Sequence, residues 1–269
     1  MKLNVVPARM GAVWVRLSLQ AFFRRPLATV WVCFSSLMPV VLIASALPAV
    51  LGGVLISILL PAITLGLMIA TAQIVRPGKP TPAAQAFITA LQALRTSVKP
   101  LAILGGGYVV TTFVIVSLPA VLDGGTVMRM FLLGQLPASL EVTRGVRYLA
   151  ALGLTLFLWL LNLLVFGYAA ALAHWCNMLP AKSVFFGFMA CIRNIKALTV
   201  YGLLWLGVNL VLSAILFMLI SVIMTALPGS AGGGRSPLIG VLMLADALVF
   251  CSMFFSSIWF TFRDSFSAT

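Results

Sequence analysis

Six long apolar runs constrain this chain more than any other feature of its sequence. A helix that crosses a bilayer needs about 20 predominantly apolar residues. The chain is 62% hydrophobic and 8% charged, whereas about a quarter of the residues of a typical soluble domain are charged. The sequence therefore predicts an all-α, polytopic membrane protein that forms a single integral membrane domain over residues 1–269. The six transmembrane helices are predicted at residues 27–47, 54–75, 101–122, 148–177, 197–226 and 238–262.

Three amphipathic segments, at residues 8–24, 83–98 and 181–194, stand before the first, third and fifth predicted spans. In the third segment, Phe185 and Phe188 share one helical face, and cations lie on the other face or at its end. A helix of this kind lies in the membrane surface, with its apolar side in the acyl boundary and its cations near lipid phosphates. We therefore expect three cytoplasmic interfacial helices.

The order of amphipathic segment, basic edge and two spans occurs three times. The second and third amphipathic segments align Pro82 with Pro180 and Arg95 with Arg193, each pair 98 residues apart. Because each unit contains two spans, all three units enter the membrane from the same side, which predicts a parallel threefold repeat. Any six-span protein with interfacial helices on one side would show the same order, so an origin without duplication is the alternative. The three basic edges are residues 25–28, 99–102 and 196–199.

The cations are distributed unevenly along the chain. Seventeen Lys and Arg residues oppose four acidic residues, and thirteen of the seventeen fall on the side of the N-terminus. By the positive-inside rule, both termini are expected in the cytoplasm of a bacterium, with the protein as a multi-pass component of the inner (cytoplasmic) membrane. Residues 123–147 then form an extracytoplasmic loop, in which a short helix is predicted around residues 126–133.

The excess of positive charge indicates lipid rather than nucleic acid as a partner. The cations sit in short stretches at the ends of apolar runs, where they orient a membrane protein and attract anionic lipids of the cytoplasmic leaflet. The alternative is that they serve topology alone. The candidate anionic-lipid contacts are Arg24, Arg25, Arg95, Lys99, Arg193 and Lys196.

Asp246 is the one acidic residue inside a predicted span. An ionised carboxylate near mid-bilayer costs about 2.5–3.5 kcal/mol on insertion scales, so such a residue usually has a role. A proton or cation site facing a cavity is one interpretation. The other is a hydrogen-bonded carboxyl group that fixes helix packing, with Asn162 or Asn209, at similar depth, as its partner.

The sequence offers few groups for catalysis, metal binding or redox chemistry. His174 is the only histidine and stands beside Trp175 and Asn177, which is typical of an interfacial position. Four cysteines without paired spacing indicate buried, reduced thiols. The sequence therefore predicts a protein that is not an enzyme and has no cofactor. An enzyme would instead need His174 within hydrogen-bond reach of an acid or a nucleophile.

Three motifs resemble a known family. They are VPARMGAVWVRLSLQAFFRRPL near the start, HWCNMLPAKSVFFGFMACIRN in the middle and FFSSIWFTFRDSF near the end. They are similar to those of a family of uncharacterised six-span inner-membrane proteins found mainly in betaproteobacteria. The resemblance implies the cytoplasmic membrane and a six-span helical fold, and it brings no activity or catalytic residues with it.

Three classes of function follow. The first is a non-catalytic accessory or scaffold protein that associates with other membrane proteins, with a second copy of itself or with anionic lipids. The second is a small transporter or channel for a solute, proton or lipid that uses Asp246, and the third is an intramembrane enzyme. Small-residue patches such as Gly105–Gly107 and the scarcity of polar groups in the spans favour the first.

Overall fold

The computed structural model describes residues 2–76, 81–137, 140–226 and 237–267, and it confirms the all-α fold. Six helices in this part of the chain are long and apolar enough to cross a membrane, one for each predicted span. Two short strands near the ends of the chain pair antiparallel. In chain order the elements are β1 (Lys2–Leu3), α1 (Met10–Arg24), α2 (Pro26–Ser45), α3 (Ala49–Ile74), α4 (Ala83–Thr96), α5 (Val98–Ser117), α6 (Ala120–Asp123), α7 (Thr126–Leu133), α8 (Leu140–Arg144), α9 (Val146–Trp175), α10 (Pro180–Arg193), α11 (Ile195–Ala226), α12 (Pro237–Ser265) and β2 (Phe266–Ser267).

Proline marks the starts of several helices. Pro26, Pro180 and Pro237 are the first residues of α2, α10 and α12. Proline has no backbone N–H and a fixed φ, so it fits the first turn of a helix and cannot continue a preceding one. The short helix predicted around residues 126–133 is confirmed as α7, between Gly125 and Gly134, both with positive φ.

The hairpin between α2 and α3 is tighter than predicted. The second span was placed at residues 54–75, but α3 begins at Ala49, so Gly52 lies inside the helix. A Cβ added at Gly52 would stand 2.5 Å from the carbonyl oxygen of Ala44. The glycine therefore permits close approach of the two helices and does not form the turn.

The packed core lies toward the end of the bundle that carries both termini, here called the terminal end. The helices α3, α9 and α12 contact one another, and residues such as Met68, Leu164 and Ile258 are almost completely buried between the helices. Beyond Trp205, α11 exposes most of its side chains, and so does the first part of α12. The bundle is therefore tight at the terminal end and looser at the opposite end.

The three predicted units are arranged cyclically. Unit one is α1 to α3, unit two is α4 to α9, and unit three is α10 to α12. Each short first helix packs on the last span of the preceding unit: α4 on α3, α10 on α9, and α1 on α12. The same short helices also contact the first span of the preceding unit, α2, α5 and α11 respectively. This order is the one that a parallel threefold repeat requires.

A single non-helical residue joins each short helix to the span that follows it. These junction residues are Arg25, Ser97 and Asn194. The helices α4 and α10 both have 14 residues and begin at Ala83 and Pro180, 97 residues apart. The structural register therefore differs by one residue from the 98-residue spacing used in the sequence alignment.

The buried positions of the short helices follow the same register. Trp14, Ala86 and Ser183 each stand eleven residues before a junction residue, and all three are completely buried. One turn later, the buried residues are Ser18, Ala90 and Gly187. The short helices thus pack on the spans through corresponding positions. In α4 and α10 both positions carry small residues, whereas α1 has Trp14 at the first of them.

Large apolar side chains of α10 face away from the protein. Phe185 is 58% exposed and Phe188 is 52% exposed, whereas Ser183 and Gly187 on the opposite side are buried against α9. In α4, Leu91 is likewise exposed. Large apolar residues on the outer side and small residues on the inner side are compatible with a helix at a membrane surface.

We predict that Gly105→Ala weakens the contact between α3 and α5. The added Cβ would meet the carbonyl oxygen of Ile58, so the helices would have to separate, and overpacking of this kind costs about 1–3 kcal/mol. Gly106→Ala is the matched control, because a Cβ there meets no atom within 4 Å. Thermal unfolding in mild detergent is expected to show a lower melting temperature for Gly105→Ala alone. Equal melting temperatures for the two variants would contradict the close contact.

Candidate functional site

The junction residues tie each unit to the stretch that leads into the next short helix. The guanidinium of Arg25 donates to the carbonyl oxygen of Thr81, just before α4, over 3.4 Å. The hydroxyl of Ser97 lies 2.8 Å from Nδ1 of His174, near the end of α9 and shortly before α10. The first two junction residues therefore play corresponding roles, because each contacts the stretch that leads into the next short helix.

The third junction holds the N-terminal arm. The side-chain oxygen of Asn194 accepts a hydrogen bond from the backbone N–H of Val6 over 2.8 Å, and its Nδ2 donates to the carbonyl oxygen of Asn4 over 3.1 Å. Leu3 pairs with Phe266 in the two-stranded ladder. Both termini therefore lie at the same end of the bundle.

Asp264 connects the last helix to the first. Its Oδ2 accepts a hydrogen bond from Nε1 of the buried Trp14 over 3.0 Å, and its Oδ1 is 2.8 Å from Nε of Arg263. The guanidinium of Arg263 also stacks over the ring of Phe260 at 5.3 Å. The carboxylate of Asp264 is thus occupied on both oxygens by neighbours within the protein.

A cleft of about 400 Å³ lies next to this cluster and is lined by four arginines. Arg24 and Arg25 come from the end of α1 and its junction, Arg76 follows α3, and Arg263 lies in the last turn of α12. Among the residues that the structure describes, only Arg263 forms an ion pair. The cleft therefore presents three guanidinium groups that have no acidic partner in the part of the chain that the structure describes. The remaining lining residues are Leu17, Gln20, Ala21, Ile74, Val75 and Phe260.

An apolar groove adjoins the arginine cleft. It occupies about 700 Å³ between α1 and α11, and the residues Gln20 and Arg24 line both the groove and the cleft. Val15 and Leu19 form part of one wall, and Leu204 and Val208 of α11 form the other. Cationic cleft and apolar groove together match an amphiphile with an anionic head and an alkyl chain.

Local sequence explains why the cleft forms at this point. Arg24 and Arg25 stand at the end of α1, where cations interact favourably with the helix dipole. Pro26 then ends that helix and begins α2, so the two arginines are held at a sharp bend. The two other arginines arrive from the ends of α3 and α12, which the cyclic packing brings alongside.

The six lipid contacts proposed from the sequence divide into two groups. Arg24 and Arg25 line the cleft, whereas the other four, at the equivalent edges of units two and three, are exposed outside it. Arg76 and Arg263, which also line the cleft, are not among the six lipid contacts proposed from the sequence. Their signal in the sequence was their position directly after a long apolar run, at the same predicted side as Arg24. Those exposed outside the cleft are Arg95, Lys99, Arg193 and Lys196.

The predicted intramembrane polar residues do not form one cluster. Asn162 is buried and donates from Nδ2 to the hydroxyl of Thr112 on α5 over 3.2 Å. Asn209 and Asp246 are half-buried, on the parts of α11 and α12 that pack loosely. Within the described residues, no hydrogen bond joins Asp246 to either asparagine. The similar depth of the three residues therefore does not produce a shared site.

His174 and Ser97 meet the distance criterion for a base and a nucleophile. Ser97 is only 6% exposed, however, and neither residue lines the cleft or the groove described above. The described residues contain no cluster of His, Cys, Asp and Glu that could hold a metal ion. The contact between the two side chains joins α9 to the α4–α5 junction.

Two of the four cysteines, Cys33 and Cys191, are buried. Burial raises the pKa of the Cys191 thiol, on α10, to about 12. A thiol with that pKa is protonated at neutral pH and is a poor nucleophile.

We predict that Ser97→Ala and His174→Gln each lower the stability of the protein by about 0.5–1.5 kcal/mol, the usual net value of a hydrogen bond. Because both substitutions remove the same contact, the double variant should lose less than the sum of the two single losses. Chemical unfolding in detergent measures the three values. A fluorophosphonate that labels activated serines is expected not to label Ser97. Labelling that disappears in Ser97→Ala would instead identify a nucleophile.

Comparison with known proteins identifies a relative and no family model. A Burkholderia thailandensis protein, named "probable inner membrane protein", is 30% identical over 275 aligned positions, which cover 99% of this chain and 94% of the relative. No protein-family model matches the chain. No solved structure matches it either. The near-complete coverage of both sequences shows that the chain belongs to the same family of bacterial inner-membrane proteins as this relative.

Proposed function

We propose that the protein is a non-catalytic accessory protein of the bacterial inner membrane that binds an anionic phospholipid in the arginine cleft. The observation that carries this proposal is the convergence of four arginines from three separate stretches of the chain on one cleft, beside an apolar groove. The phosphate would lie among the guanidinium groups, and an alkyl chain would follow the groove along α11.

The chemistry of the lining suits an oxyanion such as a phosphate. The guanidinium group presents its N–H donors in a planar fork that pairs with two phosphate oxygens at once. Arg24 and Arg76 are exposed and have no acidic partner among the described residues, so their donors are available to a ligand. A lysine-lined surface would attract the same charge but would not offer this geometry.

The orientation that we propose places the terminal end in the cytoplasm. Arg95 and Arg193 lie at this end of the bundle together with the four cleft arginines, whereas Asp264 is the only acidic residue that the structure describes there. The cytoplasmic leaflet contains anionic lipids, and each cation near its surface contributes about 1 kcal/mol to binding. The arginine cleft and the anionic lipids would then lie on the same side of the membrane.

We expect Arg24→Gln with Arg76→Gln to weaken the binding of phosphatidylglycerol. Each substitution should lower the affinity about fivefold, the equivalent of about 1 kcal/mol for each cation removed. Native mass spectrometry of the purified protein, titrated with phosphatidylglycerol in mild detergent, measures the bound fraction. Binding of the wild-type protein should fall with rising salt, because exposed charges are screened.

The matched control is Arg95→Gln with Arg193→Gln, which removes the same charge at the same end but outside the cleft. This variant should keep the affinity of the wild type within about twofold, an energy difference below 0.5 kcal/mol. Equal losses in the two double variants would contradict a specific site and leave only general charge attraction. Glycerol phosphate, which lacks the alkyl chains, should compete weakly, and full competition by it would show that the groove takes no chain.

The proposed orientation is tested separately by reporter fusions. Green fluorescent protein attached to the C-terminus is expected to fluoresce, because it folds in the cytoplasm. Alkaline phosphatase inserted after Gln135, in the connection that follows α7, is expected to be active because that connection would face the periplasm. The opposite pair of results would reverse the orientation and move the cleft to the outer leaflet.

A further inference from the structure

A second cavity lies at the opposite end of the bundle from the arginine cleft. It has a volume of about 500 Å³ and is lined by α3, α5, α7 and α9. Pockets that hold small ligands usually measure about 300–1,000 Å³. The cavity shares no lining residue with the cleft or the groove, so it is independent of the function proposed above.

The short helix α7 forms one wall and is held firmly in place. The carboxylate of Asp123 accepts hydrogen bonds from the backbone N–H groups of Gly125, over 2.9 Å, and of Val127, over 2.6 Å. Val127 is completely buried in a small cluster with Tyr148 and Ala151. One side of α7 is thus anchored to α9, and its other side is available to the cavity.

The walls of the cavity are mainly apolar. Phe113, Leu132, Leu156 and Trp159 contribute large apolar surfaces. Thr112 is one of the few polar lining residues, and its hydroxyl already accepts a hydrogen bond from Asn162. The interior therefore suits a hydrocarbon chain rather than a polar ligand.

A single cation distinguishes the lining of this cavity. Arg129 of α7 is exposed and has no ion pair among the described residues. An alkyl chain inside the cavity would place its polar head within reach of this guanidinium. Because the charge is positive and has no ion pair within the described part of the chain, an anionic head is favoured over a neutral or cationic one.

We infer that this cavity binds one alkyl chain of an anionic amphiphile, with the anionic head against Arg129. A long-chain carboxylate such as palmitate is the simplest ligand of this class. Its chain lies between α3, α5, α7 and α9, and its head lies at the mouth of the cavity.

Gly53 provides a way to fill the cavity without disturbing the helices. It lines the cavity, and a Cβ added to it meets no atom within 4 Å. Gly53→Leu should therefore fold and project its side chain into the space that the ligand occupies. Gly106→Leu is the matched control, because a Cβ there is equally free but the residue does not line the cavity.

The experiment uses the full-length protein in mild detergent and palmitate that carries a photoreactive diazirine on its chain. After irradiation, we expect the label on peptides of the cavity walls in the wild type and in Gly106→Leu, and at least about fivefold less label in Gly53→Leu, a loss of about 1 kcal/mol or more. Excess unlabelled palmitate should abolish the labelling. Equal labelling of Gly53→Leu, or label spread over the lipid-facing side of α11, would overturn the inference.

Two further variants test the details of the site. Arg129→Gln should lower the affinity for palmitate about fivefold, a loss of about 1 kcal/mol. The affinity for hexadecanol, which has an uncharged head, should not change. Equal effects on both ligands would overturn the role of the anionic head. If Gly53→Leu melts at a lower temperature than Gly106→Leu, Val54→Phe replaces it in the experiment. Val54 also lines the cavity, so the larger side chain fills the same space. Undiminished labelling in a folded Val54→Phe variant would count against the site.

Discussion

The packing of this protein depends on the close approach of helix backbones at small residues. Lipid tails are as apolar as the side chains of the spans, so apolar burial alone does not hold helices together in a bilayer. At Gly11, Gly105 and Gly187, an added Cβ would collide with a carbonyl oxygen of a neighbouring helix, on α11, α3 and α9 respectively. Where α11 runs on beyond these contacts, it separates from its neighbours. The helix α11 is therefore tightly packed near Gly11 and loosely packed beyond Trp205.

Polar contacts complete the terminal end and also explain its charge. Trp14, Arg263 and the N-terminal arm consume the hydrogen-bonding capacity of Asp264 and Asn194 within the protein. Both oxygens of the one acidic side chain described at this end therefore already accept a hydrogen bond within the protein. In the lipid-binding site proposed above, an anionic headgroup would neutralise the other arginines of the cleft.

Local patterns in the sequence determine the spans, the short helices and even α7, because hydropathy and amphipathic spacing act within a few turns. The arginine cleft could be predicted only in part. Arg24 and Arg25 are adjacent in sequence, but Arg76 and Arg263 reach them through the packing of α3 and α12. Hydropathy gives the depth of a residue in the membrane and not its rotation about the bundle axis. For that reason Asn162 and Asp246 could be assigned similar depths although they do not meet.

The pairing of the two chain ends makes the fold a closed ring of three units. Trp14 of the first unit packs on the last helix of the third unit, as Ala86 and Ser183 do on the helices that precede them in sequence. The covalent order of the units is therefore not required by their contacts. A circularly permuted chain, joined between β2 and β1 and opened between Val75 and Thr81, would keep every contact between a short helix and a span.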